Sequence, residues 1–255
     1  MIDWILIGVF AILSYLLGNV NWAIIISKIK KVDIRSMGSG NPGTLNMSRN
    51  LGLKAGLLTF FLDILKGVIP TLVAYFVFKD KLIYDSGFYL KDFALYLCGF
   101  AVVIGHIYPV FMKFKGGKGI ATSIGVFLTI EAVNGWGWVA VAIMALVAAA
   151  LFIYFTEFGA MGSFIAITPP AISGSIRLYV NYGANVNTLC TVFFILTSML
   201  IFSICLATWF AHRKNIKRML AGEEHPTSIK EMVVKMKAKK LQEKQKNASN
   251  QDKID

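Results

Sequence analysis

Apolar stretches of about 20 residues recur along most of the chain, each long enough to cross a hydrocarbon core of roughly 30 Å, and short polar connectors separate them. Seven spans are predicted, at about 4 to 27, 53 to 78, 90 to 112, 119 to 133, 136 to 155, 160 to 178 and 187 to 211. The fourth is short. A hydrophilic tail begins at His212. The pattern predicts an all-α polytopic membrane protein of about seven transmembrane helices.

Composition agrees with this class, since 56% of the 255 residues are hydrophobic, yet the formal net charge is +12. Cys98, Cys190 and Cys205 all lie inside apolar runs without metal-ligand spacing, so they read as small core residues. The first run has no basic flank and no small-residue cleavage pattern, which favours a retained helix over a secretory signal.

Charge then orients the spans. With seven of them the termini fall on opposite sides, and the connectors after spans one, three and five share a face with the tail. That face carries Lys28, Lys30, Lys31, Arg35, Arg49, Lys54, Lys113, Lys115 and Lys118, with a further dozen Lys and Arg in the tail; the other has Lys79, Lys81, Lys91 and Arg177. The excess places the first face and the C-terminus in the cytoplasm and the N-terminus outside.

Few ionisable residues lie within spans, where each costs about 2.5 to 3.5 kcal/mol at mid-membrane. Asp63 and Lys66, at i, i+3, read as a structural pair on one helix face, with a substrate-ligand role as the alternative. Glu131 is expected at an outer membrane edge. Asn19 and Asn21 are expected to hydrogen-bond to other helices. Small residues from Gly159 to Ser163 favour close helix packing, and Ser163 has a hydroxyl to offer a site.

Candidate chemistry sits in three polar stretches on the basic face. The first, Gly38-Ser39-Gly40-Asn41-Pro42-Gly43-Thr44-Leu45-Asn46-Met47-Ser48-Arg49, combines turn-forming glycines, hydroxyl and amide donors and a guanidinium, which is what a phosphate needs. A polar connector is the plainer reading of such a loop alone. Lys113-Phe114-Lys115-Gly116-Gly117-Lys118-Gly119 repeats the glycine and cation chemistry, so two such loops on one face form a basic, donor-rich pocket. The third stretch, His212 to Glu223, is a basic anchor for anionic headgroups, except that His212 and Asn215 sit at i, i+3 and both face one pocket. Beyond it, Ile229, Met232, Val233 and Met236 among lysines predict an interfacial amphipathic helix, and residues from about 241 are expected to be disordered.

Several classes are set aside. The second loop lacks the G-x-x-x-x-G-K-[ST] spacing of a P-loop, and only Asp33, Glu157 and Glu223 offer carboxylates for a metal-dependent phosphotransferase. A substrate bringing both a phosphate and an acyl chain fits better. An organophosphate transporter remains a second class; against it, no span apart from the one with Thr168-Pro169-Pro170 carries the midplane Gly/Pro interruption that discontinuous transporter helices favour, and no inverted repeat is visible. A catalytically weak regulatory relative is a third.

Asp33 to Arg49, then Gly105-His106-Ile107-Tyr108-Pro109 through Lys118-Gly119-Ile120-Ala121-Thr122, then His212 to Glu223, resemble the three motifs of the bacterial PlsY-type acyl-phosphate:glycerol-3-phosphate acyltransferases, over residues 1 to about 224 and in the same order. The resemblance implies transfer of a fatty acyl group from acyl phosphate to the 1-hydroxyl of glycerol 3-phosphate, giving lysophosphatidic acid and orthophosphate, in a seven-helix fold with a cytoplasmic active site in the bacterial cell membrane. It implies no metal, no other cofactor, and no acyl-CoA or acyl-carrier-protein donor. Its partners are the two substrates and membrane lipids, with no nucleic acid; the oligomeric state stays open. Residues 1–224 would be the membrane-embedded enzyme and 225–255 a basic cytoplasmic tail.

Position by position, the resemblance implies catalytic roles for Ser39, Arg49, Lys118, His212 and Asn215. It implies substrate binding by Gly38, Gly40, Asn41, Gly43, Thr44, Asn46, Lys115, Gly116, Gly117, Gly119 and Ser163. The chain departs from the family at Thr44-Leu45, where Ala-Thr is usual, at Ala160 in place of a serine, and at Asn19 and Asn21 in place of Ser and Pro. Only His106 and His212 supply imidazoles near the site, with no carboxylate three or four residues from either, so a phosphate oxygen is the expected proton acceptor. His106 is expected either to orient the second loop or to cap the third span.

Overall fold

The computed structural model describes residues 2–223 and residue 234, so the tail assigned to 225–255 lies outside the described residues apart from Val234. The described residues form ten α-helices and no strand. They are α1 Ile2–Gly18, α2 Trp22–Ile29, α3 Thr44–Leu51, α4 Leu53–Phe78, α5 Leu90–Ile107, α6 Ile120–Asn134, α7 Trp136–Thr156, α8 Gly159–Tyr182, α9 Thr188–Ala211 and α10 Arg213–Leu220.

Five segments are long and apolar enough to cross a membrane: Ile2–Ile29, Leu53–Phe78, Leu90–Met112, Trp136–Thr156 and Thr188–Ala211. The spans expected at 119 to 133 and 160 to 178 are also helical, as α6 with 15 residues and α8, which runs on to Tyr182. Pro169 and Pro170 lie inside α8 without ending it.

α5 is the hub. It packs on α1, α4, α6 and α9, and its Ala94, Leu95, Tyr96, Cys98, Val102 and Val103 are fully buried. In a bilayer the hydrophobic effect does not drive helices together, so close backbone approach through small residues must. The sequence supplies it at two crossings: a Cβ on Gly18 or Gly105 would overlap the facing helix, α5 or α1, and the same holds for Gly67 and Gly125 between α4 and α6. α7 instead exposes Ile143, Met144, Val147 and Leu151, the all-apolar surface that lipid requires. A second, smaller core of Ala23, Ile24, Ile26, Ile34, Met47 and Ala55 lies where α2, α3 and the start of α4 meet.

Two expectations are corrected. The first span is not continuous: α1 stops at Gly18 and α2 starts at Trp22. The two asparagines serve these ends. Asn19 donates its amide to the Tyr15 carbonyl at 2.6 Å, and Asn21 caps α2, accepting from the Ile24 N–H at 3.0 Å while its amide reaches Pro42 O at 3.4 Å. Glu131, in the last turn of α6, is fully buried against the bundle, and Arg177 lies buried inside α8 with Nη1 2.9 Å from Glu131 Oε2. The structural pair is present, with Lys66 Nζ 3.1 Å from Asp63 Oδ1.

Candidate functional site

The first loop is shaped by its own side chains. Asp33 caps the turn Ile34–Ser36 and holds Arg35 in a fork, with Nη2 2.8 Å from Oδ2. The guanidinium lowers the Asp33 carboxyl to about 2. Asn46 is buried, and its amide donates to Ile34 O at 3.1 Å and Met37 O at 3.0 Å. Its oxygen accepts from the Ser39 N–H at 3.1 Å and from Asn50 Nδ2 at 2.9 Å. All four hydrogen-bonding positions of this amide are thereby committed to loop shape. Gly38 turns the chain at φ +55°, and Gly43 precedes α3, whose first residue is the half-buried Thr44. Ser39 and Arg49 are exposed, and Asn41 is half-buried.

The second loop lies across the end of α5. Lys113 and Phe114 take left-handed backbone conformations, after which the Gly116 N–H donates to Ile107 O and the Gly117 N–H to His106 O, both at 3.1 Å. Gly117 has to be glycine here, because a Cβ would overlap His106 Nε2. His106 thus lies beneath the second loop. The carboxylate missing from its sequence neighbourhood comes from α4, as Asp63 Oδ1 lies 3.8 Å from His106 Nδ1. Lys115 is exposed and Lys118 half-buried.

The third stretch starts where α9 passes into α10. His212 is buried at this junction, with Nδ1 2.8 Å from the Thr208 carbonyl and its ring edge-on to Phe164 at 5.3 Å. A carbonyl only accepts, so Nδ1 carries the hydrogen and Nε2 presents a lone pair. Burial, with the Lys118 charge nearby, lowers its pKa to about 4. One turn on, Asn215 Oδ1 accepts from Lys118 Nζ at 2.6 Å.

The second and third stretches therefore meet directly, 97 residues apart in sequence. Phe164 brings the start of α8 to His212, and its neighbour Ser163 donates to Gly159 O at 2.8 Å. The first loop joins from the side: Met112 packs on the small core that includes its Ile34 and Met47. Sequence reasoning missed the broken first span, with Lys66 Nζ donating to Val20 O at 2.7 Å and Gly18 O at 3.3 Å. The signal was present as two asparagines flanking Val20 in an apolar run.

The family model described as glycerol-3-phosphate acyltransferase matches residues 8–222. A glycerol-3-phosphate acyltransferase of Thermoanaerobacter pseudethanolicus is 39% identical over 217 residues, covering 84% of this chain and 92% of its own. The fold is similar to the crystal structure of PlsY, an integral membrane glycerol 3-phosphate acyltransferase, in its glycerol 3-phosphate form, with a TM-score of 0.66 and 31% identity, covering 89% of this chain and 98% of that one. The lysophosphatidic acid form of the same protein gives a TM-score of 0.65 over the same shares at the same identity.

Proposed function

Since the chain belongs to the glycerol-3-phosphate acyltransferase family, we propose that it transfers a fatty acyl group from acyl phosphate to the 1-hydroxyl of glycerol 3-phosphate, releasing lysophosphatidic acid and orthophosphate. The observation that carries this reading is the Lys118–Asn215 contact, which joins a basic glycine-rich loop to the helix junction that bears His212. It concentrates cations and neutral donors where a phosphate needs them.

In the proposed reaction the glycerol 3-phosphate hydroxyl attacks the acyl carbon, the bond from that carbon to the phosphate oxygen breaks, and the departing phosphate takes the hydroxyl proton. Arg49, Lys115 and Lys118 neutralise phosphate charge and make orthophosphate a good leaving group. Gly38, Gly40, Gly43, Gly116, Gly117 and Gly119 let the two loops turn tightly around the phosphate, the N–H groups of Gly40, Gly43, Gly116 and Gly117 holding the loop shape, and the side chains of Ser39, Asn41 and Thr44 complete the grip. A histidine held near pKa 4 is a poor proton acceptor, which favours a positioning part for His212: Nε2 accepts from the attacking hydroxyl. Asn215 then fixes Lys118, and Ser163, whose hydroxyl hydrogen is committed to Gly159 O, offers its oxygen to the substrate as an acceptor. Acyl chain and lipid would meet the apolar bundle, with the loops and the C-terminus on the cytoplasmic face of a bacterial cell membrane and the N-terminus outside.

The test is direct. Purified protein given acyl phosphate and glycerol 3-phosphate releases orthophosphate and acylated glycerol phosphate in equal amounts, and acyl-CoA does not replace the donor. Phosphate release without an acylated product, or full activity with acyl-CoA, overturns the reading.

A further inference from the structure

The polar groups buried under the two loops form a connected set that the proposed reaction does not use. Lys66 and Asp63 are about 2% exposed, deep in α4, and His106 is 4% exposed. The Lys66 ammonium has three partners, and two are backbone: Val20 O at 2.7 Å and Gly18 O at 3.3 Å, besides Asp63 Oδ1 at 3.1 Å. Gly18 and Val20 stand at the break between α1 and α2, where helix carbonyls lose their intrahelical partners. In a span such carbonyls need a donor, and a single ammonium with three hydrogens supplies it.

From this centre one line of contacts runs to each loop. Toward the first, Asn21 starts α2 at the break and its amide reaches Pro42 O at 3.4 Å. Toward the second, Asp63 faces His106, whose ring fills the space a Gly117 side chain would need and whose carbonyl accepts the Gly117 N–H. A parallel tie strengthens this side, as the Tyr15 hydroxyl of α1 donates to Tyr108 O at 2.9 Å just ahead of the second loop. The two loops share no sequence neighbourhood, and the cluster touches the supports of both.

We propose that the Asp63–Lys66–His106 cluster positions the two anion-binding loops relative to each other, with Lys66 fixing the break that carries the first loop and Asp63 with His106 fixing the seat of the second. The inference rests on reading those loops as the phosphate grip. Lys66 is a positioning residue here and not a substrate ligand: its ammonium donates to two carbonyls and lies 3.1 Å from a carboxylate, all inside the protein. Misplacing a binding group by about 1 Å costs up to a hundredfold in turnover, so an internal brace of this kind shows itself in substrate kinetics.

The test uses the full chain with Asp63→Asn and Lys66→Met together. This change removes both charges at once and leaves no lone buried ion, so a pair that serves stability alone would be replaced with little loss. The positioning role predicts a folded protein with KM for both substrates raised about tenfold or more, because nothing then donates to Gly18 and Val20. Unchanged KM values, with kcat falling only in step with the folded fraction, overturn it. If this variant does not insert, His106→Ala replaces it, since it keeps the ion pair: a similar rise in KM for acyl phosphate supports the proposal and an unchanged KM overturns it. Calorimetric titration with orthophosphate separates this inference from the reaction itself. Wild-type protein that transfers no acyl group but binds orthophosphate about tenfold more tightly than the double variant sustains the positioning role while the acyl-transfer reading fails. Equal binding by both proteins, or binding by neither, overturns the positioning role.

Discussion

Among the described residues the bundle holds two buried ion pairs at different places along α4 to α8, and they are built in different ways. Glu131 and Arg177 come from α6 and α8 and meet other side chains: Arg177 Nη2 donates to the Tyr96 hydroxyl at 3.0 Å, and the Ser173 hydroxyl donates to Glu131 Oε1 at 2.6 Å. Three helices, α5, α6 and α8, are locked by this set. Asp63 and Lys66 come from one helix, one turn apart, and Lys66 turns to the backbone carbonyls of a broken helix. The difference separates two uses of expensive groups in an apolar bundle. Side chains that pair with one another across helices hold the bundle closed, and a side chain committed to unpaired carbonyls holds an irregular backbone in place near the polar loops.

The largest effect expected is at the first pair. Arg177→Met leaves Glu131 buried and unpaired, which costs about 3 to 5 kcal/mol of stability. Thermal unfolding in detergent reads this loss, and KM values for the folded fraction stay at the wild-type level. A raised KM with wild-type stability would erase the contrast between the pairs. Next come Arg49→Ala, in the last turn of α3, and Lys118→Ala, in the second loop, both outside the two cores. On the proposed reading each removes a charge-assisted phosphate contact of about 1.5 to 3 kcal/mol, roughly tenfold to a hundredfold in turnover. Their elution and unfolding are expected to match the wild type; unfolding at lower temperature would move these residues to the structural side of the comparison.

Thr44 and Leu45 give a smaller and more informative effect. Thr44 opens α3 at the first loop, so Thr44→Val is expected to lower kcat/KM about tenfold if its hydroxyl has replaced the one usual at the next position. If the site lacks that hydroxyl, Thr44→Val is silent and Leu45→Thr raises activity. The smallest effect is one of pH. The His212 pKa is lowered in the folded protein to about 4 from an ordinary 6.5, so the unfolded chain binds the extra proton first as pH falls. The contribution is fully present above about 6.5 and is lost between there and about 4. An unfolding series over that window is expected to show a shallower slope in His212→Asn than in the wild type.

What the sequence allowed one to read follows the range of the interactions. Apolar runs mark helices because each span must satisfy its own backbone, and the helices duly lie near the expected boundaries. Asp63 and Lys66 were readable as a pair because helical spacing is local. The break at residues 19–21 was not, since Val20 and Trp22 continue the apolar run and the donor to its carbonyls comes from α4. The pairing of Glu131 with Arg177 was not legible, because the two are 46 residues apart and no local spacing reveals it. The candidate site divides in the same way. The loops were legible as glycine and cation chemistry, whereas the burial of the Asn46 amide in the first loop and the seat of the second on His106 needed the fold.

The account depends most on Lys118 and Asn215 acting as one unit on a phosphate, and a double-mutant cycle on kcat/KM tests that most directly. Lys118→Ala and Asn215→Ala are each expected to lose about tenfold or more, and the combined variant to be little worse than Lys118→Ala alone, because Asn215 acts through the ammonium it holds. Losses that multiply in the combined variant, in protein that folds as wild type, would mean that the two residues work independently and would contradict a single site built from the second loop and the α9–α10 junction.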